Sequence, residues 1–170
     1  METIMTFLFP NIDLAESPAQ PEAQPPPKTT FVREVRAMYC GPRRAPAAVR
    51  SPSDAATFVR KVLPDNSREH VVALYLDGSH QVIWYTVTAT GTANSCVIHP
   101  REIFQGAILA GAVALILSHN HPSGKTTPSE EDKGATKRIK EAAKLLGVKF
   151  LDHIIVTDDA YHSLSEEAGL

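Results

Sequence analysis

The stretch Ala112-Val113-Ala114-Leu115-Ile116-Leu117-Ser118-His119-Asn120-His121-Pro122-Ser123-Gly124-Lys125-Thr126-Thr127-Pro128-Ser129-Glu130-Glu131-Asp132 joins a short apolar run to a polar loop and then to a helix start. Residues 112–117 are apolar and rich in branched side chains, the pattern of a strand covered on both faces. His119 and His121 follow just past its end, and alternate residues of an extended chain project to one side. The two imidazoles can therefore converge on one point while Asn120 faces away. Downstream, Thr127-Pro128-Ser129-Glu130 reads as a helix opening, with Thr127 as N-cap, Pro128 in the first helical position and Glu130 closing a capping box.

Ser129 and Asp132 then share a helix face that continues through Ala135, Ile139, Ala142 and Leu146, an apolar stripe that must pack inward. A carboxylate at the head of such a stripe is costly unless it is hydrogen-bonded, ion-paired or bound to a cation. Two imidazoles and a metal ion meet that need. Two histidines and one carboxylate leave a fourth tetrahedral position on zinc open to water, as in catalytic rather than structural sites. The same donors also suit iron or manganese.

The order His-x-His-Pro, six further residues, then Ser-x-x-Asp resembles the signature of the JAMM (MPN+) metallopeptidases. The fuller wording HNHPSG, PSEED and LDHIIV resembles the bacterial RadC-like branch of that family, over roughly residues 30–170. The resemblance implies a JAB/MPN domain with a cytidine-deaminase-like three-layer arrangement. It implies one Zn2+ per chain on His119, His121 and Asp132, with Ser129 helping to steady an oxyanion and an upstream glutamate acting as general base. Glu69 is preferred for that base, in Arg68-Glu69-His70 at the head of the apolar run 71–76. Its rival, Glu102, lies in the first turn of a helix opened by Pro100, where the helix dipole already accounts for a glutamate. The implied activity is zinc-dependent hydrolysis of a peptide or isopeptide bond in a protein or peptide substrate. Eukaryotic deubiquitinating members usually carry Ser or Thr where Asn120 stands, so a ubiquitin conjugate is not implied.

Around this motif, 170 residues with 43% hydrophobic content suffice for one core of ordinary size, and length argues for one domain. Six of the 13 prolines (Pro10, Pro18, Pro21, Pro25, Pro26 and Pro27) fall in residues 1–28, which read as a Pro-rich flexible tail ahead of a domain over 29–170. The short apolar patch Ile4–Phe9 follows Glu2 and is stopped by Pro10, unlike a secretion signal, and no run approaches the roughly 20 apolar residues of a membrane span. Cys40 and Cys96 are too few for a disulfide framework or a CxxC zinc site, and reduced thiols fit a cytoplasmic protein. The net charge of −2 comes from the tail, leaving the rest near neutral. Arg33, Arg36, Arg43 and Arg44 form a local basic excess that a solvated face explains, with weak nucleic-acid contact as the other reading.

Beyond the motif, residues 32–39 alternate as a strand ended by Gly41-Pro42. A helix capped by Ser51 or Ser53 carries Ala56, Val59 and Leu63 as far as Pro64, and residues 71–76 and 81–88 form a hairpin across Asp77-Gly78. Residues 95–98 are a short strand, Pro100 opens a helix stopped by Gly111, and a long helix from Pro128 to Leu146 ends at Gly147. Residues 150–156 and 161–164 close the chain as strands. Helices interleaved with strands in this order give an α/β fold, a mixed sheet flanked by helices.

His153 follows Asp152 at the start of the apolar strand 150–156, and a histidine tied locally to backbone is preferred there over one that supports a metal ligand. His70, His80, His99 and His162 have no companion at ligand spacing and read as structural. A cytidine-type deaminase needs His-x-Glu with a later Pro-Cys-x-x-Cys, and a serine hydrolase of the nucleophile-elbow type needs Gly-x-Ser-x-Gly; the sequence contains none of these. The rival from another class is a RadC-like DNA-repair-associated accessory domain acting by nucleic-acid or protein binding without catalysis. The intact ligand set, Glu69 and Ser129 favour hydrolysis, because a binding module does not need an open metal position.

Overall fold

The computed structural model describes residues 47–91 and 98–167. Ten elements follow one another: β1 (Ala47–Ala48), α1 (Pro52–Val62), β2 (His70–Leu76), β3 (Gln81–Thr90), α2 (Pro100–Ala110), β4 (Ala114–Asn120), α3 (Glu130–Leu146), β5 (Lys149–Val156), β6 (Tyr161–Ser163) and α4 (Leu164–Glu167). The strands form one mixed sheet in the order β1-β3-β2-β4-β5-β6. Among the described strands only β4 and β5 are parallel, as befits two strands joined through a helix, α3.

Side-chain alternation in the central strands builds a core on each face of the sheet. Val72, Leu74 and Leu76 of β2, with Ile116 of β4 and Ile154 and Val156 of β5, pack on Ala55, Ala56 and Val59 of α1. Val71, Ala73 and Tyr75, with Leu115 and Leu117, pack on Ile103, Phe104 and Ala107 of α2 and on Ala135, Ile139 and Ala143 of α3. The result is three layers, helix on sheet on helices, as the sequence pattern and the resemblance imply. Among the described residues no helix is long and apolar enough to cross a membrane.

The close seating of α2 depends on Gly106. A Cβ at this position would collide with the ring and hydroxyl of Tyr75, whose phenol donates to the Ile103 carbonyl oxygen at 2.9 Å. Burial pushes the Tyr75 phenol well above its ordinary range, so it stays a donor.

Element boundaries differ from the sequence reading in instructive ways. Ser51 caps α1, its Oγ accepting from Asp54 N at 3.2 Å, and the strand 81–88 extends to Thr90. The hairpin at Asp77 forms, but as a longer loop in which His80, not Gly78, takes positive φ (58°). Asp77 Oδ1 accepts from Ser79 N (2.8 Å) and Gln81 N (2.9 Å), so a side-chain turn sets the geometry in place of a two-residue turn. The chain after Ser163 turns into α4, so Leu164 is helical. On α3 the buried stripe runs through Ala135, Ile139 and Ala143; Ala142 is partly buried and Leu146 is exposed. The strand expected at 32–39, the break at Gly41-Pro42, most of the strand expected at 95–98, Cys40, Cys96, Arg33, Arg36, Arg43, Arg44 and the boundary at residue 28 lie outside the described residues.

Candidate metal centre

β4 runs farther than its apolar residues suggest, so His119 lies inside the strand and is buried, and His121 is the first residue beyond it, on the same face as His119. Both project toward α3, alongside Leu115 and Leu117. The loop that follows turns at Gly124, whose φ of 76° suits a residue without Cβ, and brings the Lys125 carbonyl back to His121.

The helix start is displaced by two residues from the expected position. Ser129, not Thr127, is the N-cap of α3, and the capping box closes on Asp132, not Glu130. Ser129 Oγ accepts from Asp132 N (3.1 Å), while Ser129 N and Oγ donate to Asp132 Oδ2 (2.8 and 2.7 Å). Asp132, at the third helical position, can reciprocate the cap as a glutamate would, which is why the box forms there. The cap also fixes the direction of Asp132: with Oδ2 bonded to Ser129, Oδ1 stands 3.1 Å from His119 Nε2.

Hydrogen bonding gives the Nδ1 atom of each of these histidines a role. Thr136 Oγ1 donates to the Asp132 carbonyl oxygen (2.7 Å), so it can only accept from His153 Nδ1 at 2.6 Å. His153 therefore offers a lone pair at Nε2, which accepts from His119 Nδ1 at 2.8 Å. His121 Nδ1 donates to the Lys125 carbonyl oxygen at 2.7 Å. With Nδ1 engaged in each ring, the Nε2 atoms of His119 and His121 face each other across 2.9 Å. Asp132 Oδ2 lies 3.8 Å from His121 Nε2 and adds a third acceptor.

Two imidazole nitrogens and a carboxylate brought this close form a donor set suited to a cation. Their separations of 2.9, 3.1 and 3.8 Å bracket the roughly 3.3–3.6 Å between neighbouring ligands on a tetrahedral ion with bonds of about 2.0–2.2 Å. The donor set of His119, His121 and Asp132 thus fits a metal ion, and all three ligand atoms lie within 4.8 Å of one another.

Burial acts to raise the Asp132 carboxyl, but hydrogen bonds from His119 and Ser129 outweigh it and hold the group well below the ordinary carboxylate range. Burial, with the charge of His119 second, pushes His153 well below the usual imidazole range, so this ring is neutral. Glu69 is half-buried just before β2, and burial raises its carboxyl against the opposing influence of His119 and His121. Val71 pairs with His119, and continuing that antiparallel register puts Glu69 across from His121 on the same face. Glu102 is exposed in the first turn of α2.

The structure brings His119, His121 and Asp132 together with Ser129, Glu69 lies near enough to feel the charges of the first three, and two further residues complete the surroundings. Thr136 went unnoticed, although it stands one helical turn beyond Asp132, the spacing at which a hydroxyl reaches back to a carbonyl. His153 is not the partly buried, backbone-tied residue preferred from sequence. It is fully buried, and its ring nitrogens bond the side chains of His119 and Thr136. Parallel pairing sets His153 opposite Leu117, two residues before His119 on the same face, a proximity invisible without the sheet. His70 is buried with Nε2 3.3 Å from Asp65 Oδ2, on the side of a structural reading.

Comparison with known proteins places these residues in a family context. The profile of the RadC-like JAB domain matches residues 49–170. The UPF0758 protein SH1266 of Staphylococcus haemolyticus is 45% identical over 130 residues, covering 76% of this chain and 57% of the relative. The UPF0758 protein GWCH70_2550 of a Geobacillus species is 43% identical over 119 residues, covering 70% and 53%. A UPF0758 protein of Desulforamulus reducens is 42% identical over 132 residues, covering 78% and 58%. The chain thus spans somewhat more than half the length of these curated relatives.

Proposed function

Because this chain belongs to the RadC-like JAB domain family, we propose that it is a zinc-dependent hydrolase of the JAMM type, cleaving a peptide or isopeptide bond in a protein or peptide substrate. The observation that carries this reading is the convergence of His119 Nε2, His121 Nε2 and the Asp132 carboxylate to within 2.9–3.8 Å of one another. His119, His121 and Asp132 would hold one Zn2+, which when bound supplies a Lewis acid and makes water ionisable near neutral pH.

The chain's own groups supply the rest. Glu69, whose carboxyl is raised by burial, is the general base: it takes the proton of the attacking water and returns it to the leaving amine. Its position opposite His121 supports that role over Glu102. Ser129 holds Asp132 in register, and its hydroxyl, turned from Asp132 Oδ2, is the donor that steadies the oxyanion. A cytoplasmic setting agrees with two isolated cysteines.

The decisive test is elemental analysis of the purified protein beside His119→Ala and Glu69→Gln, with hydrolysis of a peptide library followed in parallel. We expect about one zinc per chain in the wild type and in Glu69→Gln, none in His119→Ala, and a rate loss of roughly 10²–10⁴ in Glu69→Gln. Normal hydrolysis by either variant, or a wild type that binds no metal, would contradict the proposal.

A further inference from the structure

Asn120 sits between two metal-ligand candidates, and its side chain does something else. Strand alternation turns it to the opposite face of β4, where it is buried (1% exposed) and makes three hydrogen bonds, all to one segment. Its Oδ1 accepts from His70 N at 2.8 Å; its Nδ2 donates to the Arg68 carbonyl oxygen at 2.8 Å and to Asn66 Oδ1 at 2.7 Å. The orientation of the amide is not ambiguous, because His70 N–H can only donate and Arg68 C=O can only accept.

Those partners flank Glu69 on both sides. The peptide groups bonded to Asn120 belong to residues 68 and 70, and the Glu69 carbonyl oxygen itself accepts from Gly91 N at 2.8 Å. Residues 63–69 contain no helix or strand, so their backbone polar groups depend on such contacts. A carboxamide has one acceptor and two donors in a plane, and all are used here. Serine offers one donor, aspartate none.

We infer that Asn120 is a positioning residue that holds Glu69 over the metal centre, coupling the strand that carries His119 and His121 to the segment that carries the base. The inference rests on the metal-centre reading above and deepens it: ligand strand and base are aligned by one side chain that touches neither metal nor substrate. A misplacement of a reacting group by an ångström is enough to cost rate heavily, which is why such a clamp matters.

The test uses cobalt(II) alone as probe on full-length protein carrying 13C-labelled glutamate. In the wild type one glutamate carboxyl signal should be displaced by the paramagnetic ion, and Glu69→Gln should remove it. In Asn120→Ala the displacement should fall by about half or more and exchange of the His70 amide should quicken by roughly tenfold, with cobalt affinity within about threefold of wild type. Asn120→Asp keeps the acceptor for His70 N–H but sets a carboxylate oxygen against Arg68 O and Asn66 Oδ1, and should reduce the displacement too; it decides the matter if Asn120→Ala does not fold. A Glu69 signal unmoved in both folded variants would overturn this inference and leave the metal centre standing. A wild type in which no displaced signal disappears with Glu69→Gln would overturn the role of Glu69 itself.

Discussion

His153 Nε2 accepts a hydrogen bond from His119 Nδ1 across 2.8 Å, so a buried neutral imidazole fixes which nitrogen of His119 faces Asp132. Histidines that bind metals are more often held by a carboxylate, a backbone carbonyl or water. Here the acceptor is itself held by Thr136, whose hydroxyl returns to the backbone of Asp132. The chain of contacts is closed, and each link fixes the next.

Breaking that chain should weaken metal binding without touching a ligand. His153→Leu and the near-isosteric Thr136→Val should each lower zinc affinity by about 10- to 100-fold. Competition with a chromogenic chelator measures this, and His153→Gln, which can accept from His119 and donate to Thr136, should recover part of the loss. Wild-type affinity in His153→Leu would show that the contact is incidental.

The depressed Asp132 carboxyl gives the metal-free protein a pH-dependent stability. A carboxylate whose folded value lies below its unfolded value of about 3.9 stabilises the fold above that value and loses its effect as pH falls toward the folded one. Asp132→Asn should therefore melt below wild type at pH 7 in the presence of chelator, and the gap in Tm should narrow below about pH 4. A gap constant from pH 7 to pH 3 would mean that the charge of Asp132 contributes nothing to the fold.

Ser129→Ala should reveal two separable losses. Removing the N-cap oxygen from α3 should cost about 1 kcal/mol of stability, read by urea unfolding. Hydrolysis should fall further than that, by up to about 3 kcal/mol in activation free energy if the hydroxyl also serves an oxyanion. An activity loss that matches the melting loss and is recovered at lower temperature would leave Ser129 with its capping role alone.

Gly106→Ala should destabilise the domain by roughly 1–3 kcal/mol, because the new methyl group enters space held by Tyr75 and α2 must shift off the sheet. Tyr75→Phe alone should cost about 1 kcal/mol through the lost bond to Ile103. If Tyr75→Leu, which removes the ring and hydroxyl, relieves the Gly106→Ala penalty in the double variant, the clash is the cause.

How far the sequence reached can be judged residue by residue. Periodicity located the interior of every long element, because an apolar stripe has only one way to face a core. The start of α3 lies two residues beyond the sequence expectation, since Thr127 and Ser129 are both competent caps and only Asp132's reach to Ser129 N separates them. The hairpin loop departs from the sequence expectation for a similar reason: Asp77 turns the chain with its side chain, whatever Gly78 allows.

The sequence by itself determined the ligand types, their spacing and the placement of two histidines on one side of an extended chain, because these depend on local geometry alone. Only the tertiary structure decided that His153 and Thr136 orient His119, that Glu69 comes within the field of His119, His121 and Asp132, and that Asn120 brackets Glu69. Each of those relations crosses from one strand or helix to another, through registers such as Val71 with His119 and Leu117 with His153, which residues distant in sequence acquire only when the sheet assembles.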